Sequence, residues 1–304
     1  MHAEPSTRTF PHLVDELSLC SPARVLVAVQ LADSDDDALR AAHAYVAQHG
    51  AKLAACHMLR DSDLARADDL VEQLDAAHWA VTSQIQRVLG SDVSFEVFLE
   101  IGEPHQVLAR RAHDWRADQI VIAGRDDVGF LQRLAGRTPE RIVRCAPCSV
   151  LVARPRPGSG SIVVGADLSE ASRFALRAAA AEQRGTGAAV TLVHCIEPTY
   201  VAGPGAVDGP ALPVDTDRID AEVLAELHAE ADAVGLDAEA RIVHAPATHG
   251  LIEVATEIQA DLVIVGTTGR TGLRRLLLGS VAEATVRDAP CAVLVARTRT
   301  GFEA

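Results

Sequence analysis

Near the C-terminus, glycines recur at a spacing suited to holding an anion. The order is Gly266, two residues, Gly269, nine residues, then Gly279-Ser280. The preceding run, Asp261-Leu262-Val263-Ile264-Val265, is apolar and short, as expected of a buried parallel strand. The run from Val281 to Asp288 reads as a helix. Glycines let backbone N–H groups approach phosphate oxygens with no side chain in between. A helix N-terminus adds unpaired N–H groups and the positive end of a dipole. Arg270, Arg274 and Arg275 lie between these two devices. In open parallel sheets the ligand crevice lies beyond the carboxyl ends of the strands, which is where this loop starts. The pattern predicts a polyphosphate cradle built mainly from main-chain amides.

The elements that must position this cradle alternate along the chain. In the second half, helix one is expected from Glu170 to Arg184, with Ser169 as N-cap and Gly185 as stop. Strand two is expected over Ala189–Ile196, helix two over Thr216–Val234, strand three over Ala238–His244 and helix three over His249–Ile258. A Pro- and Gly-rich loop, Pro198 to Asp215, follows strand two. Such alternation predicts parallel strands with helices on both faces.

The pattern occurs twice. Ala117-Asp118-Gln-Ile-Val-Ile returns as Ala260-Asp261-Leu-Val-Ile-Val. Val143-Arg144-Cys-Ala-Pro-Cys-Ser-Val-Leu-Val-Ala-Arg154 returns as Val286-Arg287-Asp-Ala-Pro-Cys-Ala-Val-Leu-Val-Ala-Arg297. Val25–Val29 answers Ile162–Ala166. Residues 1–22 read as an N-terminal arm, 23–154 as a first domain, 155–160 as a short Pro/Gly linker and 161–304 as a second domain.

The spacing glycine-x2-glycine-x9-glycine-serine resembles that of the ATP-binding branch of the universal stress protein family. Three further segments carry the resemblance: Ile162 to Ser169, Leu192-Val193-His194-Cys195, and Ala289 to Val295. Together they span nearly all of residues 160–297. The resemblance implies an α/β fold of two tandem, doubly wound, Rossmann-like domains. Each would hold a five-stranded sheet of order 3-2-1-4-5, and the last strands would meet in an internal pseudo-dimer. It also implies an ATP site in the second domain. Asp167 would accept hydrogen bonds from adenine or ribose, and Ala166 and Cys195 would offer backbone groups to the base. Gly266 and Gly269 would wrap the phosphates, with Arg270 as a charge partner. Gly279, Ser280 and Val281 would supply N–H groups and a hydroxyl, with Mg2+ as an optional companion. One departure from the family pattern concerns the turn after strand three. The first half keeps glycine-x-proline as Gly102-Glu103-Pro104, whereas the second reads His244-Ala245-Pro246-Ala247.

A comparison of the halves predicts that only one site works. Gly266 is matched by Ala123, Gly269 by Asp126, Ser280 by Arg137 and Asp167 by Gln30; only Gly279 is kept, as Gly136. Moving the match by one residue would make Gly124 the first glycine but restores no other position. Asp126 and Asp127 would stand where phosphates belong. At ~4 Å and a surface-like dielectric this repulsion is roughly 4 kcal/mol per charge pair. The first domain is therefore expected to have a degenerate nucleotide site.

Composition narrows the classes further. In 304 residues, 48% are hydrophobic but only 3% aromatic, so the cores must be Ala, Val, Leu and Ile. A net charge of −14 without a basic stripe argues against nucleic acid. No apolar run approaches the ~20 residues of a membrane helix. Met1 to Ser21 carry no signal-peptide pattern, which makes the cytoplasm the default. Cys145-Ala-Pro-Cys148 has redox spacing, but Cys148 matches Cys291 at the start of a buried strand, so the pair reads as core plus bystander. His194, His244 and His249 raise the question of a metal site, and none is expected, since lone histidines in a chain with twelve are usually structural. No general base or nucleophile–histidine pair stands out, so catalysis is at most weak ATP hydrolysis. The resulting expectation is a cytoplasmic, ATP-dependent regulator in stress response, acting on an unknown protein partner. Alternatives are a slow ATP hydrolase, or a nucleotide-free scaffold that binds an apolar ligand. A homodimer of tandem chains is a further option.

Overall fold

The computed structural model describes residues 22–59, 70–124, 138–197, 216–267 and 278–298. The first half runs β1 (Arg24–Val29), α1 (Asp35–His49), β2 (Lys52–Leu59), α2 (Leu70–Leu89), β3 (Phe95–Ile101), α3 (Pro104–Asp114), β4 (Gln119–Ala123), α4 (Thr138–Cys145) and β5 (Ser149–Ala153). The second repeats it as β6 (Ser161–Gly165), α5 (Glu170–Thr186), β7 (Ala189–Cys195), α6 (Thr216–Ala233), β8 (Glu239–Val243), α7 (Ala247–Glu257), β9 (Leu262–Gly266), α8 (Ser280–Asp288) and β10 (Ala292–Ala296). The ten described strands form one sheet, β3-β2-β1-β4-β5-β10-β9-β6-β7-β8. Each half thus has the order 3-2-1-4-5.

All described pairings are parallel except β5 with β10. There Leu151 faces its own counterpart, Leu294, so a pseudo-twofold axis passes between them. The expected built-in dimer is this antiparallel join. Residues Val25 to Val29 are at most 3% exposed, as a strand covered on both faces requires. One core lies on each face of the sheet, and each runs across both halves. The first packs Leu39 and Ala42 of α1, Ile85 of α2, Leu176 of α5 and Ala231 of α6. The second packs Leu108 of α3, Val143 of α4, Leu251 of α7 and Val286 of α8.

Strand registers fix which residues correspond. Val25 pairs with Gln119 as Ile162 pairs with Leu262, so Gln30 corresponds to Asp167 and Ala123 to Gly266. Gly124 therefore corresponds to Thr267 and does not stand in for Gly266. Backbone details repeat as well. Leu31 and Leu168, at equivalent positions after the first strand, both have φ of 61°, an uncommon conformation for leucine. Gly50 and Gly187 both cap their helices at positive φ.

Two expectations about α5 need correction. The helix does not stop at Gly185 but continues to Thr186, and Gly187 is the left-handed cap. Gly185 faces Gln48 of α1, whose side chain would overlap a Cβ there. That glycine serves a helix–helix contact across the two halves, not a turn. The other expected helices and strands of the second half are present, with ends moved by a residue or two, while the expected loop Pro198 to Asp215 and residues 1–21 of the expected arm lie outside the described residues.

Candidate functional site

The crevice lies at the carboxyl ends of β6, β7 and β9. Ala166, Asp167, Cys195, Gly266, Gly279, Ser280 and Val281 line it together, and their neighbours there include Gly165, Ser172, Leu251 and Thr267. Of the expected site residues, Gly269 and Arg270 lie outside the described residues, as do Arg274 and Arg275. The crevice holds about 170 Å³, or about 750 Å³ of empty space with its open mouth included.

One wall is set by the turn after β6. Asp167 Oδ1 accepts a hydrogen bond from Ser169 N at 3.0 Å. Ser169 in turn caps α5, its hydroxyl accepting from Ser172 N at 3.2 Å. The left-handed Leu168 between them makes this turn possible. The N-cap is therefore Ser169, and the Asp167 carboxylate stands at the crevice edge.

The base of the crevice is small and tightly fitted. A Cβ on Gly165 would meet Leu251 and Val265 at 3.3 Å. A Cβ on Gly266 would lie 2.6 Å from the Ala171 carbonyl oxygen, too close for any side chain. Gly266 thus lets the first turn of α5 pack against the end of β9. In the first half, where Ala123 replaces it, the helix begins two residues later: α1 starts at Asp35, which corresponds to Ser172. The glycine goes with the earlier helix start.

Ala166 has less to offer than the sequence suggests. Its N–H already donates to the Val193 carbonyl at 3.0 Å. Its carbonyl lies 2.6 Å from His194 Nδ1, so that nitrogen carries the proton and donates. The carbonyl's second lone pair is what can face a ligand. His57 makes the equivalent bond to the Val29 carbonyl at 2.8 Å, so this histidine is a shared framework device. His244 Nε2 is 2.8 Å from Asp220. Among the described residues no cluster of His, Cys, Asp and Glu is arranged to hold a metal. Burial raises the Cys195 thiol, which keeps it protonated and a poor nucleophile.

The opposite wall is the start of α8. Gly279 is its N-cap in extended conformation, and Gly279 N donates to the Thr267 carbonyl at 2.7 Å, tying the two ends of the glycine loop together. Intrahelical bonding begins only with Glu283 N to the Gly279 carbonyl, 2.9 Å. The N–H groups before it are the helix's orphan donors, and they open on the crevice beside Ser280.

The first half departs at nearly every one of these positions. Ala28 replaces Gly165, Val29 replaces Ala166, Gln30 replaces Asp167 and Met58 replaces Cys195. Asp35, in place of Ser172, is 1% exposed. Its Oδ2 accepts from Gln30 N at 2.7 Å and Ala32 N at 3.0 Å, and its Oδ1 has no partner. Burial raises this carboxyl above its ordinary value. The expected Asp126, Asp127, Gly136 and Arg137 lie outside the described residues. Asp35 was not anticipated, nor was Ser172. Carrying the repeat through the first helix would have brought the pair to light, since the register holds as far as Gly50 and Gly187.

The model of the universal stress protein family matches residues 23–154 and again 159–297. A universal stress protein of Methanocaldococcus jannaschii is 38% identical over 76 residues, 25% of this chain and 45% of that protein. A Staphylococcus saprophyticus protein assigned to the same family is 50% identical over 46 residues, 15% of this chain and 28% of that one. The chain thus spans less than half the length of these curated relatives. Among solved structures, a universal stress protein of Archaeoglobus fulgidus superposes with a TM-score of 0.65 at 17% identity, covering 93% of this chain and 98% of that one. A functionally unknown protein of Pseudomonas aeruginosa gives 0.63 at 17% identity, covering 93% and 95%. These likenesses establish the tandem fold.

Proposed function

The chain belongs to the universal stress protein family by both of its halves, and we propose that its second domain binds ATP as a regulatory ligand. The observation that carries this reading is the convergence of Asp167, Gly266, Gly279 and Ser280 on one crevice with the orphan N–H groups of α8 at its mouth. Asp167 accepts from the adenine or ribose, and the Ala166 and Cys195 backbones border the base. The Ser280 and Val281 N–H groups and the Ser280 hydroxyl bind phosphate oxygens, with Arg270 and Mg2+ sharing the charge. Gly266 keeps the first turn of α5 close against the end of β9 beside this crevice.

The first domain, with a carboxylate buried at Asp35 and bulkier residues around it, binds no nucleotide on this reading. It serves as the fixed partner of the second. ATP occupancy changes the loop 198–215 or the face presented to a protein partner, to the extent that the two states differ in affinity for ATP. We place this regulator in the cytoplasm; no described helix is long and apolar enough to cross a membrane. Native mass spectrometry of protein purified without added nucleotide tests the reading. It predicts an adenine nucleotide at one per chain. Protein that is empty and takes up no ATP at millimolar concentration would refute it.

A further inference from the structure

Helix α8 begins at the crevice and ends in the grip of the other half. Its last turn has a missing donor, because the residue four places after Val286 is Pro290, which has no N–H. Arg154, just beyond β5 of the first half, fills the gap. Its Nη2 donates to the Val286 carbonyl at 2.5 Å and its Nη1 to the Cys291 carbonyl at 3.1 Å. A cation is also favoured at a helix C-terminus by the dipole. Gly124 makes room for this arginine: a Cβ there would lie 2.5 Å from Arg154 Cγ. Near the crevice end, Arg144 of α4 pairs with Glu283 in the first turn of α8 at 3.3 Å.

The clamp is reciprocal. Val143 of α4 is followed four residues later by Pro147, and Arg297 of the second half donates to the Val143 carbonyl at 3.0 Å and also to the Ala146 carbonyl. The two ends it could influence differ. Helix α8 opens on the crevice with the full glycine–serine motif, whereas α4 follows a segment from which that motif has been lost.

We propose that Arg154 is a positioning residue for the nucleotide site. The first domain sets the placement of α8, and through it the N–H groups that meet the phosphates. This inference rests on the ATP reading above. It gives the domain without an intact motif a definite task in binding at the other.

The test uses the full chain with Arg154→Gln and its symmetry mate Arg297→Gln. Each is titrated with ATP and with adenosine, and unfolded in urea. Both substitutions remove the same kind of clamp, so both should lower stability to a similar degree. Arg154→Gln should weaken ATP about five- to tenfold, the low end for coupling between separated groups, and leave adenosine binding unchanged. Arg297→Gln should alter neither affinity. Arg154→Lys keeps a donor for one carbonyl and should recover part of the ATP affinity; should Arg154→Gln fail to fold, the lysine variant must show the same ATP-selective loss on a smaller scale. Equal weakening of ATP by both arginine variants, an equal loss for adenosine, or no loss with Arg154→Gln would overturn the proposal while wild-type binding still upholds the ATP reading. Wild-type protein that binds no ATP would overturn both.

Discussion

In both halves the first strand ends in a turn through a left-handed leucine, Leu31 or Leu168. In both, a buried histidine donates to the last strand carbonyl, His57 to Val29 and His194 to Ala166. In both, an arginine reaches across the axis to a helix end that proline has left without a donor. What differs is concentrated around the crevice. Gly165, Ala166, Asp167, Ser172, Cys195 and Gly266 are matched by Ala28, Val29, Gln30, Asp35, Met58 and Ala123. The comparison separates scaffold from site. Backbone strain is often stored where a ligand is held, yet here it persists in the half that has lost the motif, so the leucine turn belongs to the architecture. The histidine's bond to the strand-end carbonyl does too.

The largest test puts a negative charge into the cradle of the second domain. Gly279→Asp puts a carboxylate at the head of α8. Aspartate is a favoured N-cap in the extended conformation found here, so the fold should be kept or slightly stabilised. ATP affinity should fall at least ~100-fold, as expected for a charge at phosphate distance. Unaltered affinity by calorimetry would remove the cradle from the account.

A smaller effect is expected from Gly266→Ala, which installs the residue found at Ala123. The new Cβ must push the first turn of α5 away from β9. Stability should drop by about 1–3 kcal/mol, as for overpacking elsewhere, and ATP affinity by roughly tenfold as Asp167 moves with the turn. Should the variant bind and unfold like wild type, the tight fit of this glycine against the first turn of α5 does not govern the site.

The smallest effect concerns the contact between the halves. Tyr45 of α1 and Glu182 of α5 hold equivalent positions and lie side by side, both nearly buried. Burial holds the Glu182 carboxyl above its ordinary 4.5. The folded chain therefore keeps this proton to higher pH than the unfolded chain does. Stability from this source is full below the ordinary value and is lost as pH rises through the raised one. Asp35 acts in the same direction from 3.8. Denaturation curves between pH 4 and 7 should show that Glu182→Gln flattens the decline. An unchanged slope would assign the decline to other groups.

Much of this architecture was legible from the repeat. Apolar runs and their alternation with helices gave the parallel sheet, and the twin Val-Leu-Val-Ala segments marked the two strands that meet at Leu151 and Leu294. The glycine–serine spacing located the crevice. What escaped was tertiary. Gly185 looked like a helix stop because its role, making room for Gln48 of the other half, has no local signature. Gly124 looked like a displaced phosphate glycine, yet it clears a path for Arg154. Asp35 was missed because it lies in a helix whose charged first turn, Asp35-Asp36-Asp37, looks like ordinary dipole pairing. Nothing in a single sequence says that one of those three carboxylates points inward.

The most direct measurement is calorimetric titration of the intact chain with ATP, read for stoichiometry and repeated with Gly279→Asp. The account requires one site per chain in the native protein and none in the variant. Two sites per chain, or one site that survives the aspartate, would mean that the half assigned as scaffold binds nucleotide.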